Sequence, residues 1–110
     1  MEEGVITIQS FNRLLREYPA SIHIIDVRDQ KEVEADGTFK TAKVLPIDEL
    51  GKAIADLPSD KPIIFFCSTG GRAGEAYDTV KTLREGLEVY FLDANVEFSK
   101  QALPKVTPAD

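Results

Sequence analysis

Apolar residues cluster along the chain in short unbroken runs separated by amphipathic stretches. Ile63-Ile64-Phe65-Phe66-Cys67 is the clearest run, and Ile22-His23-Ile24-Ile25-Asp26-Val27 is nearly as continuous. Both have strand length and the near-continuous apolar character of strands buried on two faces. Val5-Ile6-Thr7-Ile8 is short and β-branched and predicts a first strand; Ala42–Leu45, ended by Pro46, predicts a weaker one, and Leu87–Leu92 a last one. Between them lie helical patterns. Ser10 is placed to cap a helix through Glu17, with Phe11, Leu14 and Leu15 on one stripe and Pro19 stopping it. Asp29–Gly37 is charged and reads as a loop holding a short helical turn, and Ile47 begins a short helix reaching about Leu57.

Pro58–Pro62 is a loop on composition. The turn Ser68–Gly71 then opens a long helix to about Glu85, with Ala73, Ala76, Tyr77, Val80 and Leu83 on its inner face and Gly86 at the C-cap position. Asn95 is placed to cap a final short helix through Gln101. Strands alternating with helices imply an α/β fold, a parallel sheet covered on both faces, with its chemistry at the strand ends.

At 110 residues folding buries roughly two-thirds of the unfolded surface, enough for one core. No apolar run approaches the ~20 residues of a membrane span. Nineteen acidic against thirteen basic residues give a net charge of −6, which argues against nucleic-acid partners and against general phosphate neutralisation. One cysteine excludes an internal disulfide, and one cysteine with one histidine does not build a zinc site. No basic segment followed by an apolar one opens the chain, so as it stands it reads as cytoplasmic, or as periplasmic if a leader has been removed. Met1-Glu2-Glu3 and Thr107-Pro108-Ala109-Asp110 are both compatible with trimming from a longer protein.

The candidate chemistry follows the strongest strand. Cys67-Ser68-Thr69-Gly70-Gly71-Arg72-Ala73-Gly74 leads straight into a helix. Free N–H groups at a helix N-terminus bind anions, and glycines let a loop curl so that more of them point inward. The same surroundings, with Arg72 nearby, favour a thiolate over a thiol. The pattern predicts a nucleophilic sulfur at the bottom of an anion-binding cradle. A plainer reading makes Cys67 a small core hydrophobe, the usual fate of a free cysteine; its position at a strand–loop–helix junction favours the functional one. A nucleotide-binding loop is a poor match, because no Gly-Lys-Ser/Thr follows the glycines.

On these residues the chain resembles the single-domain rhodanese family of sulfurtransferases over nearly its whole length. The loop from Cys67 to Ala73 matches the family's Cys-x-x-Gly-x-Arg-Ser/Ala active loop. Asp26-Val27-Arg28 with Glu32, then Gly37, Ala42 and Pro46, match its earlier markers; Ala76, Leu83, Gly86, Val89 and Leu92 follow its later spacing. There are departures. The family's His-Ile-Pro-Gly segment reads Thr38-Phe39-Lys40-Thr41, one extra residue stands between Glu32 and Gly37, a common glycine pair is Ala94-Asn95, and a usual tryptophan is Phe98. The resemblance implies a rhodanese-like three-layer fold, a five-stranded and mainly parallel sheet with helices on both faces. Residues 1–103 would form the domain and 104–110 a disordered tail.

The resemblance further implies sulfane-sulfur transfer through a persulfide on Cys67. A small anionic donor such as thiosulfate would supply the sulfur, and a thiol, cyanide or a sulfur-accepting protein would take it. Ser68, Thr69, Gly70, Gly71, Arg72 and Ala73 would form the anion-binding loop, with Asp26 and Arg28 in support. Neither a metal nor an organic cofactor is implied, nor a membrane partner, and the domain would be a monomer. Arg28 either faces the pocket or pairs with Glu32, and the i,i+4 spacing favours the pair. Asp26 is expected to organise loop amides, and His23 to be an ordinary strand residue. A cysteine phosphatase or arsenate reductase places five residues between cysteine and arginine; here there are four, a cradle too small for a phosphoryl group. Mercaptopyruvate sulfurtransferases typically lack the arginine. A persulfide carrier and a non-catalytic interaction or regulatory module remain alternatives.

Overall fold

The computed structural model describes residues 3–99 and 102–109. Its centre is a four-stranded, wholly parallel sheet in the order β2-β1-β3-β4, formed by His23–Asp26 (β1), Lys43–Val44 (β2), Ile63–Phe66 (β3) and Val89–Phe91 (β4). In the centre Ile24 lies beside Ile64 and Ile25 beside Phe65. The sheet has four strands rather than five because Val5–Ile8 does not extend: Val5 makes a single parallel bridge to Phe91. Helix α1 claims the rest, running Ile8–Glu17 with Thr7 as its N-cap, the Thr7 hydroxyl accepting from the Ser10 N–H at 3.1 Å. The cap is therefore Thr7 and not Ser10, which lets Ile8 join Phe11, Leu14 and Leu15 on the buried stripe.

Side chains alternate across the sheet and build two cores. Ile25, Ile63, Phe65 and Cys67 pack under α3 (Leu50–Ala53), α4 (Gly71–Leu83) and the turns that flank α3. Ile24, Ile64 and Phe66 pack against α1 on the opposite face. Residues 47–56 form 3₁₀, α and 3₁₀ turns in succession, in place of the one short helix that the sequence predicts. Helix α4 buries Ala73, Ala76, Tyr77 and Val80 as its periodicity predicts, but ends at Leu83, which is 64% exposed. Its C-cap is Arg84 rather than Gly86. The Arg84 guanidinium donates to the carbonyls of Ile54, Ala55 and Leu57, tying the end of α4 to the turn after α3.

The C-terminal expectations give way entirely. Instead of a helix capped by Asn95, Ala94–Ser99 (β5) pairs antiparallel with Ala102–Pro108 (β6). The disordered tail expected from residue 104 is thus strand as far as Pro108. Gln101, the expected helix end, and Asp110 lie outside the described residues. Ala94, Val96 and Phe98 alternate with Asn95 and Glu97 and turn their apolar side onto the α1-face core. That burial favours the strand over an isolated short helix.

Candidate active site

Strands β1 and β3 lie side by side and run out at the same edge, where the Val27 N–H donates to the Phe66 carbonyl at 3.0 Å. From β1 the chain leaves toward β2, and from β3 toward β4. The crevice between those two departures is the topological switch point of an open α/β sheet, where ligands bind. Both sequence-predicted groups, Asp26 with Arg28 and the Cys67 loop, meet there.

Cys67 follows the last residue of β3, and α4 begins four residues later. The turn between is possible because Gly70 takes a left-handed φ of 98° as the N-cap of α4. A Cβ at Gly70 would stand 2.7 Å from Asp93 Oδ1 and 3.1 Å from the Asp93 Cα, so the position is closed sterically as well. In this curl the Gly70 N–H donates to Cys67 Sγ at 3.0 Å. The Ser68 carbonyl accepts from the Val96 N–H at 2.8 Å, which clamps β5 onto the loop. Cys67 is fully buried among Ile25, Val27 and Ala73. It is therefore a core residue and a hydrogen-bonded sulfur at once.

Two arginines mark the site. Arg72, in the first turn of α4, donates from Nη1 and Nη2 to the two carboxylate oxygens of Glu32 at 3.0 and 3.1 Å, and from Nη2 to Ser68 Oγ at 3.0 Å. The hydrogen-bonded pair with Glu32 raises the guanidinium's pKa above its ordinary value; desolvation opposes this, and the charges of Glu32, Cys67 and Asp29 add to it. Arg28 is buried, and its Nε and Nη2 grip both oxygens of the buried Asp26 at 2.7 to 3.1 Å. Asp26 also accepts from the Arg28 N–H at 3.0 Å and from Thr38 Oγ1 at 2.7 Å. Arg28 Nη2 donates to the Gly37 carbonyl at 2.7 Å, and the guanidinium carbon stands 4.5 Å from the centre of the Phe98 ring.

This corrects the expected Arg28–Glu32 pair. The i,i+4 geometry requires both residues on one helix, but α2 spans Gln30–Asp36 with Asp29 as its cap, so Arg28 precedes it in the loop. Glu32 instead faces Arg72, 40 residues away in sequence. Asp26 does bind a loop amide, as expected, but its main partner is the Arg28 side chain. Ser68 holds Arg72, Gly71 opens α4 and Ala73 is buried beneath it; Thr69 lies in the bend between. Sequence reasoning missed Thr38 and Phe98 as partners of the buried pair. His23 pairs with Asp60 at 2.8 Å where β1 begins, at the opposite end from Cys67.

A cleft of about 560 Å³ lies on the α1 face, lined by Val5, Ile6, Leu14, Ile22, Ile64 and Tyr90 among others, without Cys67 or either site arginine. The chemistry, not the volume, marks the candidate site. Among the described residues no group of three or more His, Cys, Asp or Glu is placed to hold a metal ion, and no helix is long and apolar enough to cross a membrane.

Comparison with known proteins bears on this geometry. The chain is 34% identical over 86 residues, 74% of its length, to the probable adenylyltransferase/sulfurtransferase MoeZ of Mycobacterium tuberculosis, and it spans 21% of that protein. Among solved structures it is similar to a rhodanese-related protein of Thermoplasma volcanium, at 25% identity and a TM-score of 0.64, covering 74% of this chain and 78% of that one. It also shares the fold of the human single-domain sulfurtransferase TSTD1, with a TM-score of 0.69 at 20% identity, over 84% of this chain and 90% of that one. A family model, the Rhodanese-like domain, matches residues 7–97, which contain the whole Cys67 loop and both arginine–carboxylate pairs, and the chain belongs to this family.

Proposed function

We propose that this domain is a sulfurtransferase that carries a sulfane sulfur as a persulfide on Cys67. The observation that carries the reading is the Gly70 N–H aimed at Cys67 Sγ at the head of α4. A sulfur so placed is served by an oriented backbone donor and by the positive end of the helix, both of which favour an anionic sulfur. Cys67 is the nucleophile. Its thiolate attacks the outer sulfur of a donor such as thiosulfate, the sulfur–sulfur bond breaks, and sulfite leaves with the electron pair. A thiol, cyanide or a protein acceptor then removes the outer sulfur and restores the thiolate. The loop from Ser68 to Ala73 stabilises charge through fixed dipoles rather than through a proton-transferring partner. The relative named as an adenylyltransferase/sulfurtransferase supports this chemistry for the family segment the chain spans.

The complete burial of Cys67 favours a second reading within the same chemistry, a persulfide carrier that discharges to a protein acceptor and turns small molecules over slowly. One paired experiment addresses both. Thiosulfate:cyanide sulfurtransferase rate and intact mass after thiosulfate are measured on the wild type and on Cys67→Ser. Thiocyanate formation and a gain of one sulfur, both lost in Cys67→Ser, are the expected result. A mass gain with little turnover identifies the carrier. No gain from thiosulfate or from a low-molecular-weight persulfide overturns both readings and leaves a binding module.

A further inference from the structure

The loop's arginine is not free. Both its terminal nitrogens are engaged by Glu32, and the pair is only partly shielded, with about a third of each side chain exposed, 31% for Arg72 and 35% for Glu32. The other arginine of the site, Arg28, is committed to Asp26. Asp93 lies against Gly70, and Asp29 is close enough to act on Arg72. A doubly charged donor approaching the Cys67 loop thus meets an already paired guanidinium, Arg72, with further carboxylates nearby, on a chain of net charge −6, while the second guanidinium is buried.

We infer that Glu32 is a specificity-determining residue: by clamping Arg72 in a two-pronged ion pair, it withholds the loop's guanidinium from dianionic donors and tunes the site to a sulfane donor of low charge, a persulfide R–S–SH whose carrier thiol bears no charge of its own. This rests on the sulfurtransferase reading proposed above. Glu32 is a positioning and charge-setting residue, acting through Arg72, and it does not touch the reacting sulfur. Ser68 makes the idea testable. Its hydroxyl accepts from Arg72 Nη2 at 3.0 Å independently of Glu32, so the guanidinium keeps an anchor on the loop when the Glu32 charge is removed. The transfer balances without an added oxidant or reductant. The bond from Cys67 Sγ to the outer sulfur forms, the R–S–SH sulfur–sulfur bond breaks, R–S⁻ leaves with the electron pair, and the proton stays on the transferred sulfur.

The test follows single-turnover persulfide formation on the full chain by intact mass, with thiosulfate and with N-acetylcysteamine persulfide, whose carrier is uncharged. Glu32→Gln, which keeps an acceptor oxygen and loses the charge, is expected to lower the half-saturating thiosulfate concentration about tenfold and to change the limiting rate less than about twofold. It is expected to leave the N-acetylcysteamine persulfide reaction unchanged. The gain should vanish in the Arg72→Gln background, because the effect acts through Arg72. In the wild type, added salt should speed the thiosulfate reaction, since it screens a net repulsion. An unchanged or raised half-saturating concentration in Glu32→Gln overturns the inference, as does a gain that survives without Arg72. If Glu32→Gln does not fold, as judged by its melting curve, the wild-type salt series decides: a thiosulfate rate that falls or stays flat with ionic strength overturns the inference. When wild-type Cys67 takes up sulfur from either donor, any of these failures removes only the role of Glu32. If it takes up sulfur from neither, the sulfurtransferase reading fails and this inference fails with it.

Discussion

Two arginine–carboxylate pairs stand at the carboxyl ends of the neighbouring strands β1 and β3, and they do different work. Asp26 and Arg28 are two residues apart, wholly buried, and locked by further bonds from Thr38 and to Gly37, with Phe98 facing the guanidinium. Glu32 and Arg72 come from distant segments, share one two-pronged contact and remain partly open to water. Solvent screening makes a pair of the second kind worth little to folding. Breaking a pair of the first kind leaves an uncompensated charge inside the protein. The buried pair therefore acts as a structural element, while the half-exposed one is the pair to which we assign a charge-setting role.

The comparison is broken most severely at Arg28. Arg28→Leu strands the Asp26 carboxylate with no cation and orphans the Gly37 carbonyl, and should cost about 3–5 kcal/mol in urea unfolding. A loss below ~1 kcal/mol would mean that water enters and solvates Asp26. Thr38→Val removes one hydrogen bond to the same carboxylate and should cost about 1.5–3 kcal/mol, with the Arg28 contact retained. Phe98 offers no hydrogen-bonding replacement there, so a rescue by local rearrangement is not expected.

Arg72→Gln and Glu32→Gln should each change stability by only about 0–1 kcal/mol, because both partners are partly exposed. A large loss from either would merge the two pairs into one structural network. The smallest effect belongs to a third pair, His23 with Asp60, at the far end of β1. The hydrogen bond from His23 holds the Asp60 carboxyl below its ordinary pKa, with desolvation working the other way. A carboxyl depressed in the folded state stabilises above its unfolded pKa, and that contribution is lost as pH falls through the folded value. Asp60→Asn should therefore differ from the wild type at neutral pH and converge on it in acid, which a melting series from pH 7 to below 4 will read. Divergence growing toward acid would reverse the assignment.

Much of this arrangement was legible along the chain. The apolar runs at Ile22–Val27 and Ile63–Cys67 identify strands buried on both sides: the first is β1 with one flanking residue at each end, and the second is β3 with the cysteine just beyond it. The stripe of Ala73, Ala76, Tyr77 and Val80 lies on the buried face of α4 as its spacing requires. Leu83 broke the pattern because the helix ends there, and Arg84 turns back to cap the neighbouring turns. Two boundary signals competed with burial and lost. Ser10 and Asn95 are both good caps, yet Ile8 gains more by joining the α1 stripe, and Ala94, Val96 and Phe98 gain more as one face of a strand. The strict alternation from Ala94 to Ser99 is the period of a strand, the signal in the sequence that corresponds to β5.

What the sequence by itself determined is local: that Cys67 ends a buried strand, and that the glycines of the loop after it let the chain curl into a helix with the Gly70 N–H facing back toward the sulfur. Those features depend on backbone freedom and side-chain size within a few residues. The charge at the site was decided only by the tertiary structure. Asp26, Glu32, Arg28 and Arg72 could be paired in more than one way on paper, and a Coulomb interaction depends on distance rather than on separation along the chain. Setting β1 beside β3 brought Glu32 to Arg72 across 40 residues. Arg28 pairs with Asp26 in the interior, with Thr38 on the carboxylate and Phe98 against the guanidinium.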